Sequence, residues 1–346
     1  MGNIINIGVI GYGYWGPNLV RNFAEIPGAQ VRTVSDFKPE LLAKAQARYP
    51  SLKVTTDYRD ILKDPQIDAV AIATPVSTHF GLALAALQAG KHVLVEKPMT
   101  TSSEQAMRLI EEAQRRNLVL MVDHTFVYTG AVRKMHDLIA TNVVGDIYYY
   151  DSVRVNLGLF QHDVNVIWDL AVHDPSIMDY LLPSKPYAVS ATGIGHVMNE
   201  PENLAYLTLF FANNLMAHIH VNWLAPVKVR RTLIGGSQRM IVYDDLEPSE
   251  KVKIYDKGIT LNDNSAESTY QMLVGYRTGD MWAPHLGVAE AIRTEGLHFI
   301  DCIQQGDRPI SDGEAGLRVV RILEAASQYI KQQGRLVELD TVEVAA

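Results

Sequence analysis

A glycine-rich turn near the N-terminus has the residue types and the spacing of a phosphate-binding loop. Gly11, Gly13 and Gly16 form a G-x-G-x-x-G pattern between an apolar, strand-like run and a helical segment. The first glycine permits a tight turn, the second lets a pyrophosphate approach the backbone, and the third lets the helix pack on the strand. Free N–H groups and the helix dipole then favour an anion. The sequence therefore predicts a dinucleotide site, with Tyr14 and Trp15 as further cofactor contacts.

Asp36 ends the second predicted strand, about 20 residues beyond the turn, where dinucleotide-binding folds place an acidic residue. A carboxylate there accepts the adenosine ribose hydroxyls and repels a 2′-phosphate. We therefore expect NAD as the cofactor and NADP to be less favoured, although Lys38 reduces that preference. A FAD site and a glycine turn without a ligand are the alternatives.

Thr74 and Pro75 follow the apolar run Ala69–Ala73, and His79 comes one helical turn later. Strand ends in a parallel sheet point toward the ligand crevice. We expect Thr74, Pro75 and His79 to line the cofactor. The alternative is that His79 is simply part of the first turn of a helix.

Glu96 and Lys97 follow the next apolar run, His92–Val95, and therefore belong to the same predicted edge. A lysine held there faces the nicotinamide, where its ammonium group can stabilise a developing alkoxide. Both residues are candidate cofactor contacts. A surface ion pair between them is the alternative.

Asp169 and His173 lie four residues apart in a segment predicted to be helical, Ile167–Leu182, so both should project from one face. An imidazole can take a hydroxyl proton while a hydride leaves the same carbon. Asp169 would orient the histidine or bind a neighbouring substrate hydroxyl. A solvated helix face is the alternative.

The elements that position these residues change character along the chain. Up to about residue 124, short continuous apolar runs alternate with amphipathic stretches, which is typical of a parallel sheet with crossover helices. After that point, most of the runs alternate like half-exposed antiparallel strands. We predict an α/β protein with a doubly wound parallel sheet in residues 1–124. An α+β domain with an open, mostly antiparallel sheet should follow in residues 125–346, with terminal helices that can pack back on the first domain.

Composition narrows the function classes. With 39 acidic and 31 basic residues, the net charge of −8 argues against a broad nucleic-acid-binding surface. The single cysteine, Cys302, cannot form an internal disulfide, as is usual in a reducing cytoplasm. No apolar run approaches the length needed to span a bilayer. We expect a cytoplasmic protein that binds neither membrane nor nucleic acid.

These motifs occur in an order that resembles the glucose-fructose oxidoreductase, inositol dehydrogenase and rhizopine catabolism (Gfo/Idh/MocA) family of sugar and cyclitol dehydrogenases. The likeness rests on the glycine turn, Ala73-Thr74-Pro75, Glu96-Lys97-Pro98, the Asp169 to His173 spacing and the closing segment 308–317.

The resemblance implies a Rossmann domain and a second domain whose open sheet often forms the interface of a homodimer or homotetramer. By position, it implies that Lys97 and His173 are the catalytic pair and that Asp169 is their helper. It also implies a peptide bond before Pro98 that is frequently cis.

One segment departs from the family pattern. Asp123-His124-Thr125-Phe126-Val127-Tyr128 stands where many members have an Asn-Arg-Arg-Phe-like stretch. His124 and Tyr128 are candidate contacts to a sugar hydroxyl. Further candidate substrate residues in the second half are Arg154, Asn156, Trp168, Asp169 and His173, together with Lys97 from the first half.

The substrate class stays open between several possibilities. Arg154, Arg230 and Arg231 offer the forked donors that a nucleotide diphosphate needs, which favours a nucleotide sugar such as a UDP-N-acetylhexosamine oxidised at carbon 3. A free sugar or an inositol is the alternative. A zinc enzyme using His218 and His220 has no third ligand at a persuasive spacing, and a non-catalytic NAD-binding regulator would not need Lys97 and His173.

Overall fold

The computed structural model describes residues 4–158, 164–198, 200–261, 274–332 and 337–338. The α-helices are α1 Gly16–Glu25, α2 Pro39–Arg48, α3 Arg59–Lys63, α4 Val76–Gln88, α5 Ser103–Arg116, α6 Gly130–Ala140, α7 His173–Leu181, α8 Ala291–Gln305 and α9 Gly313–Lys331. The strands are β1 Ile5–Ile10, β2 Ala29–Ser35, β3 Lys53–Thr55, β4 Ala69–Ile72, β5 His92–Glu96, β6 Leu120–Asp123, β7 Ile147–Leu157, β8 Ala188–Ile194, β9 Leu204–Phe210, β10 Met216–Asn222, β11 Leu224–Gly236, β12 Met240–Asp244, β13 Val252–Tyr255, β14 Gly258–Leu261, β15 Val274–Arg277, β16 Met281–Trp282 and β17 Val337–Glu338. A 3₁₀ turn spans Thr125–Tyr128, and a π-helical turn spans Ile167–Ala171.

The chain forms two compact units. The first consists of Met1–Thr129 and Val288–Glu324, and the second of Gly130–Gly287 and Ala325–Ala346. Helix α8 lies within the first unit, whereas α9 begins in the first unit and ends in the second. The domain boundary at residues 124 and 125 stays a prediction. Across the described part of the chain, every helix is too short or too polar to cross a bilayer.

The first unit contains a six-stranded parallel sheet in the order β3-β2-β1-β4-β5-β6, the strand order of a Rossmann fold. Strands β4 and β6 are buried along their whole length, because helices cover both faces of the sheet. This confirms the predicted doubly wound domain. The strand order reverses between β1 and β4, so the carboxyl ends of these strands and of β5 share the edge at which such folds bind their ligands.

The prediction missed two elements of this unit, β3 and α3. Strand β3 is three residues long and lies at the sheet edge with one exposed and two half-buried residues, so it lacks the continuous apolar run of the inner strands. Helix α3 is five residues long. Both are too short to give a clear periodic pattern.

The second unit contains a nine-stranded sheet in the order β16-β13-β12-β11-β7-β10-β9-β8-β17. Its strand pairs are antiparallel except for β7 with β10. This confirms the predicted open, mostly antiparallel sheet. Strand β11 begins at Leu224, and the register of its first half shifts between Leu224 and Val229. Pro226 and the exposed residues beside it concealed this half of the strand from the sequence pattern.

The predicted continuous helix Ile167–Leu182 is wrong in detail. Ile167–Ala171 forms a π-helical turn, and the regular helix α7 begins only at His173. The side-chain carbonyl of Asn165 accepts hydrogen bonds from the backbone N–H groups of Ile167 and Trp168 and so caps the start of the turn. Asp169 and His173 therefore lie on two consecutive helical pieces rather than on one regular turn.

Candidate active site

The glycine turn has the geometry that its sequence predicts. Gly11 has a φ of +96°, and a Cβ there would lie 2.3 Å from the carbonyl oxygen of Ala73. A Cβ at Gly16 would lie 2.1 Å from the carbonyl oxygen of Gly11, because helix and turn meet closely. At Gly13 a Cβ would meet no atom within 4 Å. The first and third glycines are thus required by the fold, and the second has open space in front of its backbone.

Asp36 lies at the end of β2 with a carboxylate that supports this turn. Its Oδ2 accepts the backbone N–H of Tyr12 at 2.7 Å, and its Oδ1 accepts the backbone N–H of Lys38 at 2.9 Å. The side chain is only 8% exposed. Since each carboxylate oxygen has a second lone pair, the group can still accept ribose hydroxyls.

Trp15 and Tyr14 occupy the middle of the turn. The indole N–H of Trp15 donates to Oδ2 of Asp123 at 2.8 Å, so the ring is tied to the end of β6. Tyr14 is 93% exposed and stacks on Trp15 with ring centroids 6.4 Å apart. Direct contact of either ring with the cofactor stays a prediction.

His79 connects the loops after β4 and β5. Its Nδ1 lies 2.8 Å from the carbonyl oxygen of Pro98, and its Nε2 lies 2.8 Å from the carbonyl oxygen of Thr74. The side chain is 1% exposed, and burial lowers its pKa. With both nitrogens against backbone carbonyls, His79 positions Thr74 and Pro98. This differs from the direct cofactor contact that we expected from the sequence. Pro75 is exposed at the N-terminus of α4.

Glu96 and Lys97 stand at the carboxyl edge of the parallel sheet, as predicted. The Lys97–Pro98 peptide bond is cis. Glu96 Oε2 accepts the backbone N–H of Lys97 at 3.2 Å, and the Oε1 atom is buried. Glu96 pairs in register with Asp123 across β5 and β6, so its carboxyl group faces another carboxyl group. The alternative of a surface ion pair is therefore wrong.

In the second unit, the π-helical turn holds Asp169 and Trp168. Oδ2 of Asp169 accepts the indole N–H of Trp223 at 2.9 Å. The indole N–H of Trp168 donates to Ser327 at 3.0 Å. His173 begins α7 and is half-buried, as are Asp169, Trp168 and Asn156. The structure leaves the substrate roles of these four residues as predictions.

Arg154 does not have the predicted role. Its Nε donates to Oδ2 of Asp174 at 2.8 Å and its Nη2 donates to Oδ1 at 3.2 Å, while Ser152 donates to the same carboxylate at 2.6 Å. The side chains of Arg154 and Asp174 are 4% and 1% exposed. This buried, forked ion pair joins β7 to α7. Arg154 therefore stabilises the packing of these two elements and does not bind substrate.

His124 and Tyr128 also differ from expectation. Each is 2% exposed, and the Tyr128 hydroxyl lies 2.9 Å from the hydroxyl of Ser311, which donates to the Val122 carbonyl at 2.7 Å. In the segment that departs from the family pattern, Tyr128 therefore connects through Ser311 the end of β6 with the residues just before α9. Neither side chain is placed to contact a sugar hydroxyl.

Two carboxyl groups at this edge were missed, those of Asp123 and Glu295. Asp123 ends β6 in the way that Glu96 ends β5, which is a signal the sequence did contain. Glu295 lies between Ile292 and Phe299 at helical spacing, so it falls on the apolar face of α8. Charged residues rarely lie on such a face, so the sequence did contain a signal for Glu295.

The described residues contain no group of three or more metal-ligating side chains. His218 lies 3.5 Å from Asp151, and His220 stacks on Tyr206 with ring centroids 4.4 Å apart. The first unit, in contrast, fits a dinucleotide: Gly13 leaves the backbone of the turn open, and Asp36 presents a supported carboxylate beside it.

Comparison with known proteins agrees with this geometry. Residues 5–124 match the family model described as the Gfo/Idh/MocA oxidoreductase family, NAD-binding Rossmann fold, and residues 132–242 match the C-terminal domain of the same family. The chain is 30% identical to the UDP-N-acetylglucosamine 3-dehydrogenase of Acidithiobacillus ferrooxidans over 90% of this chain and 93% of that protein. It is 25% identical to the NAD-dependent scyllo-inositol 2-dehydrogenase of Bacillus subtilis over 97% and 95% of the two chains.

A solved structure of the Acidithiobacillus ferrooxidans enzyme superposes with a TM-score of 0.77 at 27% identity, covering 94% of this chain and 99% of that one. Sequence, family models and fold therefore agree with one another. The chain belongs to the Gfo/Idh/MocA family of NAD-binding sugar oxidoreductases.

Proposed function

We propose that this protein interconverts a secondary alcohol and a ketone on a sugar-like ring, with Lys97, His173 and Asp169 as the residues that handle the substrate. Bound NAD supplies the hydride acceptor, or its reduced form the hydride donor. The direction of the reaction stays open, because the same groups serve both directions.

The placement of Lys97 carries this proposal. The residue directly follows β5, which lies next to β4 and one strand away from β1 and the glycine turn. A lysine at this edge of a Rossmann sheet is on the side where the cofactor binds. Its ammonium group can stabilise negative charge on the substrate oxygen as the hydroxyl loses its proton.

His173 is assigned the proton transfer. An imidazole has a pKa near neutrality and can accept the hydroxyl proton in oxidation and return it in reduction. Asp169 orients His173 or binds a neighbouring hydroxyl, and its hydrogen bond from Trp223 restrains the carboxylate.

For the substrate we propose a nucleotide sugar, a UDP-N-acetylhexosamine oxidised at carbon 3. The similarity to the UDP-N-acetylglucosamine 3-dehydrogenase supports this choice. Two of the three candidate arginines pair with carboxylates of the protein: Nε of Arg154 lies 2.8 Å from Oδ2 of Asp174, and Nη1 of Arg230 lies 3.3 Å from Oδ2 of Asp245. Arg231 is exposed and remains a candidate phosphate contact. An inositol or free sugar is the second candidate, because the scyllo-inositol dehydrogenase aligns over nearly the whole chain.

Substitution of Lys97 by Ala tests the reaction. Loss of a group that stabilises the oxygen should lower kcat about 100-fold or more. The reduced cofactor should still bind, as measured by the change in its fluorescence. Lys44→Ala, on the exposed side of α2, is the matched control and should keep full turnover. Unchanged turnover of Lys97→Ala on the substrate would overturn the assignment.

The substrate is identified by screening NAD reduction with UDP-sugars, free hexoses and inositols and following absorbance of the reduced cofactor. A UDP-N-acetylhexosamine should give turnover that the free hexoses and inositols do not. Turnover with inositols alone would favour the second candidate. NAD binding without turnover on any of these compounds would favour a non-catalytic regulator instead.

A further inference from the structure

Three carboxyl groups meet at the carboxyl edge of the six-stranded sheet, within the first unit. Glu96 and Asp123 end the neighbouring parallel strands β5 and β6 and pair in register. Glu295 approaches Asp123 from α8. Asp123 is 2% exposed and Glu295 is 1% exposed. Three negative charges in contact and out of water would repel one another strongly, so at least one proton must be shared among them.

The hydrogen-bond donors around the three groups are unevenly distributed. Asp123 accepts the indole N–H of Trp15 at 2.8 Å and the hydroxyl of Thr125. In the described part of the chain, no N–H group donates to either carboxyl oxygen of Glu295 or to Oε1 of Glu96, although all three atoms are buried, and the Thr125 hydroxyl beside Glu295 donates to Asp123. The polar group that both glutamate side chains meet is the carboxyl group of Asp123. Two carboxyl groups can bond only if one of them carries a proton, because a carboxylate is an acceptor alone.

We propose that Glu96 and Glu295 are neutral carboxylic acids that donate their protons to the carboxylate of Asp123, and that this carboxyl cluster (Glu96, Asp123 and Glu295) carries a single negative charge. Asp123 is then the ionised member, since two side-chain donors from outside the cluster, Trp15 and Thr125, bond to its carboxylate. The cluster satisfies the polar atoms of the two glutamate side chains that have no other donor.

The directions of the pKa shifts agree with this arrangement. Burial raises the pKa of Glu295, Asp123 and Glu96 raise it further, and the Thr125 hydroxyl opposes them. Burial also raises the pKa of Glu96, with Asp123 acting in the same direction and Lys97 opposing. Burial alone would raise the pKa of Asp123, but hydrogen bonds from both glutamic acids and from two neighbouring donors outweigh burial and lower it.

The cluster connects two parts of the cofactor site. Asp123 holds the indole of Trp15 in the glycine turn, and Glu96 accepts the backbone N–H of Lys97. Glu295 acts through Asp123 and is therefore a positioning residue. Its effect on Lys97 rests on the proposed function, whereas the protonation states of the cluster do not.

Infrared difference spectroscopy of the whole protein at neutral pH, without cofactor or substrate, tests the protonation states. A protonated carboxyl group has a carbonyl band distinct from the bands of carboxylates. Glu295→Gln should lose one protonated-carboxyl band relative to the wild type, and Glu96→Gln should lose a second. Glu111→Gln, exposed on α5, is the matched control and should lose carboxylate signal alone. Loss of only carboxylate signal in Glu295→Gln would overturn the proposal.

The pH dependence of stability gives a second, independent readout. A carboxyl group whose pKa is raised in the folded state stabilises fully below its unfolded pKa of about 4.3, and this stabilisation is lost as the pH rises toward the folded value. Glu295→Gln keeps a donor and cannot ionise. As the pH is raised above about 4.3, its Tm should therefore fall less than that of the wild type. If the Tm of Glu295→Gln fell as much as that of the wild type, and as much as that of the control Glu111→Gln, the proposal would be contradicted. Neither experiment uses turnover, so a failed Lys97 assignment would leave both results interpretable.

Discussion

Asp36 supports the glycine turn and also presents its charge to the cofactor site. Both carboxylate oxygens accept backbone N–H groups, from Tyr12 and Lys38, which holds the side chain in place before any ribose is bound. Arg154 shows the opposite outcome for a residue chosen on its chemistry. Its forked donors fit a carboxylate as well as a phosphate, and Asp174 lies within reach. A residue type thus suggests chemistry, and its neighbours decide whether that chemistry is used for ligand or for packing.

The cofactor preference is tested by Asp36→Ala. Loss of charged hydrogen bonds to the ribose should cost about 1.5–3 kcal/mol of NAD binding free energy, about 10- to 100-fold in Kd. NADP should lose much less, because the variant also removes repulsion of the 2′-phosphate. Titration of both cofactors by fluorescence measures the two constants.

Asp36→Asn is the matched variant for this test. Its amide oxygen can still accept the N–H of Tyr12, so this bond to the turn is retained while the charge and the acceptor for Lys38 are lost. Equal losses of NAD and NADP affinity in Asp36→Ala would show that Asp36 does not bind the adenosine ribose.

At the scale of elements, the glycine turn is the part of the site that short-range sequence describes best. The positive φ of Gly11 and the close approach of Gly16 to the turn are local backbone requirements that other residues do not meet. The π-helical turn at Ile167–Ala171 is the contrary case. Asn165 caps the start of this turn, and the indole N–H of Trp223 donates to Asp169 within it. The bond from Trp223 joins residues that are far apart in sequence.

Gly13→Ala separates the role of the turn in folding from its role in binding. A Cβ at this position meets no protein atom within 4 Å, so the free energy of unfolding should change by less than about 1 kcal/mol. The same methyl group lies where the pyrophosphate approaches the backbone, and NAD affinity should fall at least about tenfold. Urea unfolding and cofactor titration measure the two effects.

Gly81→Ala is the control for this substitution. Gly81 lies in the exposed interior of α4, also with no atom within 4 Å of the added Cβ, and alanine should stabilise the helix by about 1 kcal/mol without changing NAD affinity. If Gly13→Ala bound NAD as tightly as the wild type, the turn would not be the pyrophosphate site.

At the scale of the whole molecule, the nine-stranded sheet has an outer face with aromatic and apolar side chains. Tyr149, Met216 and Tyr206 are 38%, 50% and 40% exposed, and their strands pair so that they share one face. His218 and His220 lie on the same face and stack with Tyr206. Exposed apolar patches of this kind mark interaction surfaces, and a second copy of the chain is the partner that the family resemblance implies.

We expect a homodimer or homotetramer that assembles through this sheet. Met216→Glu would bury a charge in the interface and should shift the protein toward monomer in sedimentation velocity. Leu246→Glu, an exposed leucine in the turn after β12 that is 43% exposed, is the control and should leave the mass unchanged. A monomeric wild type, or an oligomer that tolerates Met216→Glu, would show that this face has another role.

The amino-acid sequence by itself determined the parallel sheet, the glycine turn with Asp36, and the position of Lys97 at a strand end. These features depend on apolar periodicity and backbone freedom, both of which act over short stretches of chain. Only the tertiary structure decided that Arg154 pairs with Asp174, that His79 joins two loops, and that Glu295 meets Glu96 and Asp123. These contacts join residues distant in sequence. Their consequences come from burial, which makes each polar group depend on whichever partner the fold brings within hydrogen-bond distance.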